Sequence, residues 1–244
     1  MRPLLSLSLV AVFVAALPAD DKLPAGFKEL YKQDFAKPEA ASDFVFSDPA
    51  VWKYGTDKDG KGYLDLHYDR KAYKSTYSPK NRSPIHIALI ANKKFTDFVL
   101  DCELQSTTEA YGHQDMCLYF GFTEPQKFYY VHIARAADMN AHNVFVVNEA
   151  PRKNFAKETT KGINWKKDAW HKVRITRDTA SGAIEVFFDD LTKPIMKAED
   201  KTFGAGYIGF GSFDDTGRVR NIRVSGPKAE DRTAEFFKPL EKDK

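Results

Sequence analysis

The chain has 244 residues, 14% of them aromatic, and a formal net charge of +3. That length fits one large β-sandwich and allows a core of ordinary size without disulfides. Lys and Arg are scattered among Asp and Glu rather than gathered in a stripe, so no nucleic-acid partner is expected.

Residues 1–19 open with Arg2, an apolar run from Leu4 to Leu17, and small residues before Asp20. This is the pattern of a signal peptide, too short to span a bilayer, with cleavage expected after Ala16 or after Ala19. No Cys follows the run, so a lipid anchor is not expected, and no later segment is apolar enough for membrane insertion. The expected localisation is secreted or periplasmic. One domain is expected over 20–226, followed by a charged tail over 227–244. Its only apolar pair is Phe236 and Phe237, and the tail reads as disordered or as a short docked helix.

Alternating side chains predict strands at 27–35, 44–47, 51–54, 63–68, 84–91 and 98–106. Residues 36–42 read as a loop or short helix, and 69–83 as a basic, Tyr-containing loop. A hairpin follows, 115–122 and 127–134, joined by a turn at 123–126. The loop 107–112 is expected to pair 98–106 with its first strand. Further strands are predicted at 143–148, 170–177, 183–189, 194–198, 207–213 and 219–224. The stretch 149–168 reads as a long irregular loop of the kind that is functional or mobile. No long helical period occurs, so the fold class is all-β, a two-sheet antiparallel jelly-roll sandwich.

The hairpin carries the candidate chemistry. Met116, Leu118, Phe120 and Phe122 point one way, matched by Tyr129, Val131 and Ile133. Asp115, Cys117 and Tyr119 point the other way, with His113 in phase ahead of them and Phe128, Tyr130 and His132 opposite. A plain solvent face would carry Lys, Glu and Thr. This one offers His113, Asp115, Tyr119, Tyr130 and His132 as substrate-binding candidates. His86, outward on its own strand, and Arg82 extend the patch. Arg152 joins it if the 149–168 stretch closes over the cleft.

Tyr rings would stack on sugars, and His132, Tyr130 and His113 are the catalytic candidates for acid–base work. Arg152, Arg135 or Arg82 would neutralise an acidic substrate. The competing reading is ordinary strand-end capping. Cys102 shares phase with the inward Leu100 and Leu104 while Cys117 faces the other way, so no disulfide is expected.

No cofactor is expected. His113 and Asp115 with His132 or His142 are ligand types that suit a transition metal, but the spacing of a metal motif is missing, so no metal site is assigned. Residues 57–62 resemble the start of a calcium loop without its closing ligands, and Asp214 with Asp215 reads as a turn, which leaves calcium unsupported. Nucleophile, phosphate-loop and dinucleotide motifs are all missing.

The second half has an order of motifs. Trp170-His171-x-Val-x-Ile is followed by Gly182-x-Ile-x-Val-x-Phe-Asp189-Asp190 and by Gly206-x-Ile-Gly-Phe-Gly-Ser-Phe-Asp214-Asp215. It closes on Arg220-Asn221-Ile222-Arg223-Val224. This resembles the concanavalin A-like lectin/glucanase superfamily, in particular the secreted bacterial 3-keto-disaccharide hydrolase domains. The resemblance implies a jelly roll whose concave sheet holds glycans, without implying a reaction. The Glu-x-Asp-x-x-Glu strand of the superfamily's glucanases is missing; Asp101 with Glu103, and Glu185 with Asp189, are the nearest pairs and read as solvent sides of strands.

The expected function is an exported module that binds a saccharide or polysaccharide. One alternative is a glycan-active enzyme, either a glycoside hydrolase of the 3-keto-disaccharide hydrolase type or a polysaccharide lyase. The other is a structural adhesion module.

Overall fold

Period-two alternation becomes strand throughout residues 23–240, the part of the chain that the computed structural model describes. The signal peptide expected at 1–19 and the last four residues lie outside the described residues. Among those described, a nine-stranded antiparallel sheet runs Ala156–Thr159, Met196–Glu199, Ala183–Phe188, His171–Arg177, Phe98–Ser106, Gly217–Gly226, Gly62–Leu66, Trp52–Thr56. Lys28–Gln33 pairs on Gly217–Gly226 at its side. A seven-stranded sheet runs Lys153–Asn154, Asn143–Asn148, Lys127–Ala134, Asp115–Glu124, Tyr207–Ser212, His86–Ile90, Phe44–Phe46. Residues Pro38–Asp43 form a 3-10 turn, as their reading allowed. No helix among the described residues is long and apolar enough to cross a membrane.

The core between the sheets follows the parity of the sequence. Leu100, Cys102, Leu104, Val173 and Ile175 of one sheet meet Met116, Leu118, Phe120, Val131 and Ile133 of the other. Cys102 lies in this core and Cys117 on the far face of the seven-stranded sheet, and both are free thiols. One expected pairing is corrected. Phe98–Ser106 does not join the hairpin; it pairs with His171–Arg177 and Gly217–Gly226 in the opposite sheet. Its apolar face meets the hairpin's across the core instead of lying beside it, which buries both sets at once.

The outer face of the nine-stranded sheet is solvated and built from cross-strand charge pairs. Arg174 binds Asp101 at 2.7 Å. Arg220 holds both Glu103 and Asp57, and Arg218 holds Asp65. Asp101 and Glu103 are therefore ladder partners of arginines. Asp57 also accepts the Asp59 and Lys61 amides, so residues 57–62 form a turn around their own first aspartate.

The outer face of the seven-stranded sheet is different, because it is also buried. Ile87, Leu89, Tyr119, Phe122, Phe128, Tyr130 and Phe145 form a second apolar cluster there. Residues 69–85 help cover it, pinned by Asp48, whose carboxylate accepts from Tyr73 (2.8 Å), Ser75 (3.0 Å) and the Thr76 amide (2.8 Å). Burial would raise the Asp48 carboxyl, but these donors hold it below its usual range. The described part of the tail, residues 227–240, supplies the rest of the cover as a short strand and a docked extended segment rather than a helix. Ala229–Asp231 pairs with Lys93–Phe95, Lys238 bridges to Phe46, and Phe236 and Phe237 lie 5.5 and 5.9 Å from the Phe122 ring.

Phe122 is a second correction, since alternation placed it with the inward Phe120. Gly121 adopts φ +54°, and the register slips between Phe120 and Glu124. The extra residue turns Phe122 outward, where it stacks on Phe128 at 4.7 Å. The 149–168 stretch is a third. It contains Lys153–Asn154 and Ala156–Thr159, which add an edge strand to each sheet in turn and so carry the chain from one to the other.

Candidate functional site

The candidate site forms where Asp115–Glu124, Lys127–Ala134, His86–Ile90 and Tyr207–Ser212 end together. Asp115 is fully buried. Its Oδ1 accepts from the Ser212 hydroxyl at 2.7 Å, and its Oδ2 from the Cys117 thiol at 3.1 Å and the Phe213 amide at 3.3 Å. His132 Nε2 sits 3.0 Å from the same Oδ2, an ion-pair approach rather than an aligned hydrogen bond. Burial works to raise the Asp115 carboxyl, but His132, Ser212 and Cys117 together hold it low, so Asp115 is charged. The other ring nitrogen of His132 lies 3.1 Å from the Asn140 carbonyl. His132 is thus clamped between strand and loop.

Asp215 lies behind this pair. It accepts the Asp115 amide at 2.8 Å, the Tyr111 hydroxyl at 3.0 Å and Arg70 at 2.8 Å. Burial and the Asp115 carboxylate push its carboxyl up to about 8, against the pull of the Asp115 amide, Arg70 and Tyr111. An unfolded Asp titrates near ~3.9. A folded value above the unfolded one means that this group favours the fold below about pH 4 and loses that contribution as pH rises through about 8. Asp215→Asn, which copies the neutral carboxyl, should therefore soften the loss of stability between pH 5 and 8. Urea midpoints with the same pH slope in variant and wild type would contradict this.

Several expected ligand residues are placed elsewhere. Tyr119 is fully buried, with its hydroxyl 3.3 Å from the His86 carbonyl. Tyr130 is also fully buried, and its ring stacks on Phe145 at 4.9 Å. Neither offers a stacking plane, because the sheet face that alternation left open is covered. His86 shares phase with the inward Ala88 and Ile90, not with the outer face; its ring packs on Tyr68 at 4.3 Å, and burial pulls it down to about 4. His113 precedes the strand, in the turn closed by Gln114 N–H to the Tyr111 carbonyl, and pairs with Asp138 in the exposed stretch 135–140. Arg135 is exposed at the start of that loop. His142 is a buried loop anchor between Ala134 and Thr160.

The catalytic candidates fare accordingly. Burial pushes the Tyr130 phenol upward even beside Arg152, so it is a poor base at neutral pH. His132 has Nδ1 on the Asn140 carbonyl and its buried Nε2 against the Asp115 carboxylate, and His113 faces Asp138. Asp115, Cys117 and His132 are metal-ligating types held close together, as are Asp115, Asp214 and Asp215. In the first set the thiol and carboxylate donors are directed at one another, and in the second Arg70 and Tyr111 hold Asp215.

Asp115, His132, Tyr130, Arg82 and Arg152 do come together, around a residue that the sequence reading missed. Phe213 is half-buried; Arg152 lies over its ring at 4.5 Å, Arg82 at 5.3 Å, and the His132 ring is near-parallel at 6.2 Å. Arg152 donates to the Tyr130 hydroxyl at 2.8 Å and approaches the Asn140 carboxamide at 3.5 Å. Arg82 follows Asn81, whose amide and side chain both donate to Gln126. Phase would have exposed Phe213: it falls in step with Tyr207, Gly209 and Gly211, on the face opposite Ile208 and Phe210. Ser212, Asp215, Asn140, Arg70 and Tyr111 were likewise missed as a network.

A separate cleft of about 460 Å³ lies on the nine-stranded sheet, lined by Phe27, Thr176, Glu185 and the Lys157–Glu199 pair. None of the sequence candidates reaches it.

No protein-family model matches the chain, and no curated protein matches it in sequence. Solved structures are similar to it. The carbohydrate-binding module CBM66 from Bacillus subtilis superposes with a TM-score of 0.53 at 12% identity, over 76% of this chain and 96% of that one. A Bacillus subtilis protein of unknown function with a galectin-like fold gives 0.53 at 14%, over 84% and 100%. The winged bean acidic lectin, complexed with methyl-α-D-galactose, gives 0.51 at 10%, over 82% and 98%. At these identities the likeness is one of fold. The chain has the concanavalin A-like jelly-roll sandwich that its sequence led us to expect.

Proposed function

We propose that the protein is an exported glycan-binding module, and that it takes its saccharide on the Arg82–Phe213–Arg152 patch beside Tyr130 and His132. The observation that carries this is the patch itself. Two guanidiniums are held against one half-buried ring at the open end of a sheet, above a rigid Asp115–His132 pair. Guanidinium N–H groups in fixed positions suit a hydroxyl-rich ligand, and a prearranged site loses little entropy on binding. The neighbours in fold support the class of ligand, since they include a carbohydrate-binding module and a lectin with bound galactoside. Export is supported by the leader-like run from Leu4 to Leu17.

Binding rather than turnover is the better reading, because the candidate acid–base groups are buried or spent on internal partners. A glycan panel read for both binding and products tests this. Binding without products is expected. Products would transfer the patch to an enzyme, and silence across neutral and acidic glycans would remove the proposal.

A further inference from the structure

Several arginines of this chain pair with carboxylates, and the two on the Phe213 patch do not. Arg218, Arg220 and Arg223 each hold a carboxylate, Arg70 holds the raised carboxyl of Asp215, and Arg177 holds three backbone carbonyls. Among the described residues, Arg82 and Arg152 make no ion pair. The recorded partners of Arg152 are neutral, a phenol and a carboxamide, and Arg82 is exposed to solvent.

Two like charges over one ring repel each other, and the repulsion is largest where water is partly excluded. Asp115, beside His132, is fully buried and already holds His132, Ser212, Cys117 and the Phe213 amide. Asp214 beside Phe213 is exposed, and it is the backbone carbonyl of Asp214, not its carboxylate, that takes Arg70. Neither guanidinium of the patch is therefore paired directly with a carboxylate of the chain, although Asp115, Asp214 and Asp215 cluster at the same end of the sheet. The ring faces of Phe213 are also engaged by cations, so the patch presents N–H edges to a ligand rather than an apolar plane for a sugar face.

We propose that the occupant is an acidic saccharide, one bearing a carboxylate or a sulfate ester, with its anionic group seated between Arg82 and Arg152. A guanidinium pairs with such a group through two parallel hydrogen bonds, a geometry that a neutral hydroxyl cannot return. This rests on the glycan reading of the patch, and it goes further by fixing the charge of the ligand.

The test is calorimetric titration of the whole protein with two pairs of probes: an oligogalacturonate with its methyl ester, and a sulfated oligosaccharide with its desulfated counterpart. One acidic probe should bind roughly tenfold or more tightly than its neutral form. That advantage should shrink with added salt and largely disappear in Arg82→Ala and in Arg152→Ala. The arm that binds distinguishes carboxylate from sulfate. Equal affinity for acidic and neutral forms would overturn the inference while leaving a glycan site standing. No affinity for any saccharide would remove both. A folded Arg82→Lys variant that keeps the charge but loses much of the advantage would support paired-hydrogen-bond recognition over simple charge attraction. If neither arginine replacement alters the advantage of the acidic form, the anion does not sit between them.

Discussion

Asp115→Ala is expected to cost the fold about 3–5 kcal/mol, the usual penalty for leaving the partners of a buried ion pair uncompensated. Asp115 has no solvent exposure, and removing it strands the Ser212 hydroxyl, the Cys117 thiol, the Phe213 amide and the buried His132 ring. It would also remove the carboxylate that pushes Asp215 upward, which returns part of the loss at neutral pH. Ser212→Ala, which removes one neutral donor, should cost only about 1 kcal/mol. Urea denaturation with an unchanged m-value would measure both. A loss below that of Ser212→Ala would mean that Asp115 is not the keystone of this end of the sheet.

The second large effect concerns the tail. Phe236 and Phe237 are half-buried against Phe122, Tyr77 and Tyr207. A double Phe236→Ala, Phe237→Ala variant should lose about 3 kcal/mol, near the value of burying one such side chain fully and less than two complete core truncations. It should also bind a hydrophobic dye, because the outer cluster of the seven-stranded sheet would open to water. Unchanged stability together with no dye binding would show that residues 69–85 cover that cluster unaided.

Most of the strands were legible because their alternation is strong, and both Val173–Ile175 and Met116–Leu118–Phe120 landed in the core where parity put them. Parity fixes which side chains share a face. It does not say what lies over that face, and so Tyr119 and Tyr130 read as exposed. Phe128, Phe145 and Arg152 lie against them, in a cluster that Tyr77, Phe236 and Phe237 pack on from far away in sequence. Phe122 was misplaced because one left-handed glycine at Gly121 shifts the phase after it. The short strands Lys93–Phe95, Lys153–Asn154, Ala156–Thr159 and Ala229–Asp231 are too brief or too polar to alternate visibly.

The candidate site was half legible. Asp115, His132, Tyr130, Arg82 and Arg152 could be named from residue type and phase. Phe213, which brings the two arginines together, sits past the end of a glycine-rich strand and read as part of that strand alone.

The central claim is that a saccharide binds at the Phe213 patch on the seven-stranded sheet. The most direct measurement is the affinity of Phe213→Ala and Arg152→Ala for whichever saccharide the panel selects, with Arg218→Ala on the opposite sheet as the comparison. The first two should lose about tenfold or more with the fold retained by circular dichroism, and Arg218→Ala should bind as wild type does. Full affinity in the first two, or a loss confined to Arg218→Ala, would place the ligand elsewhere and contradict the account.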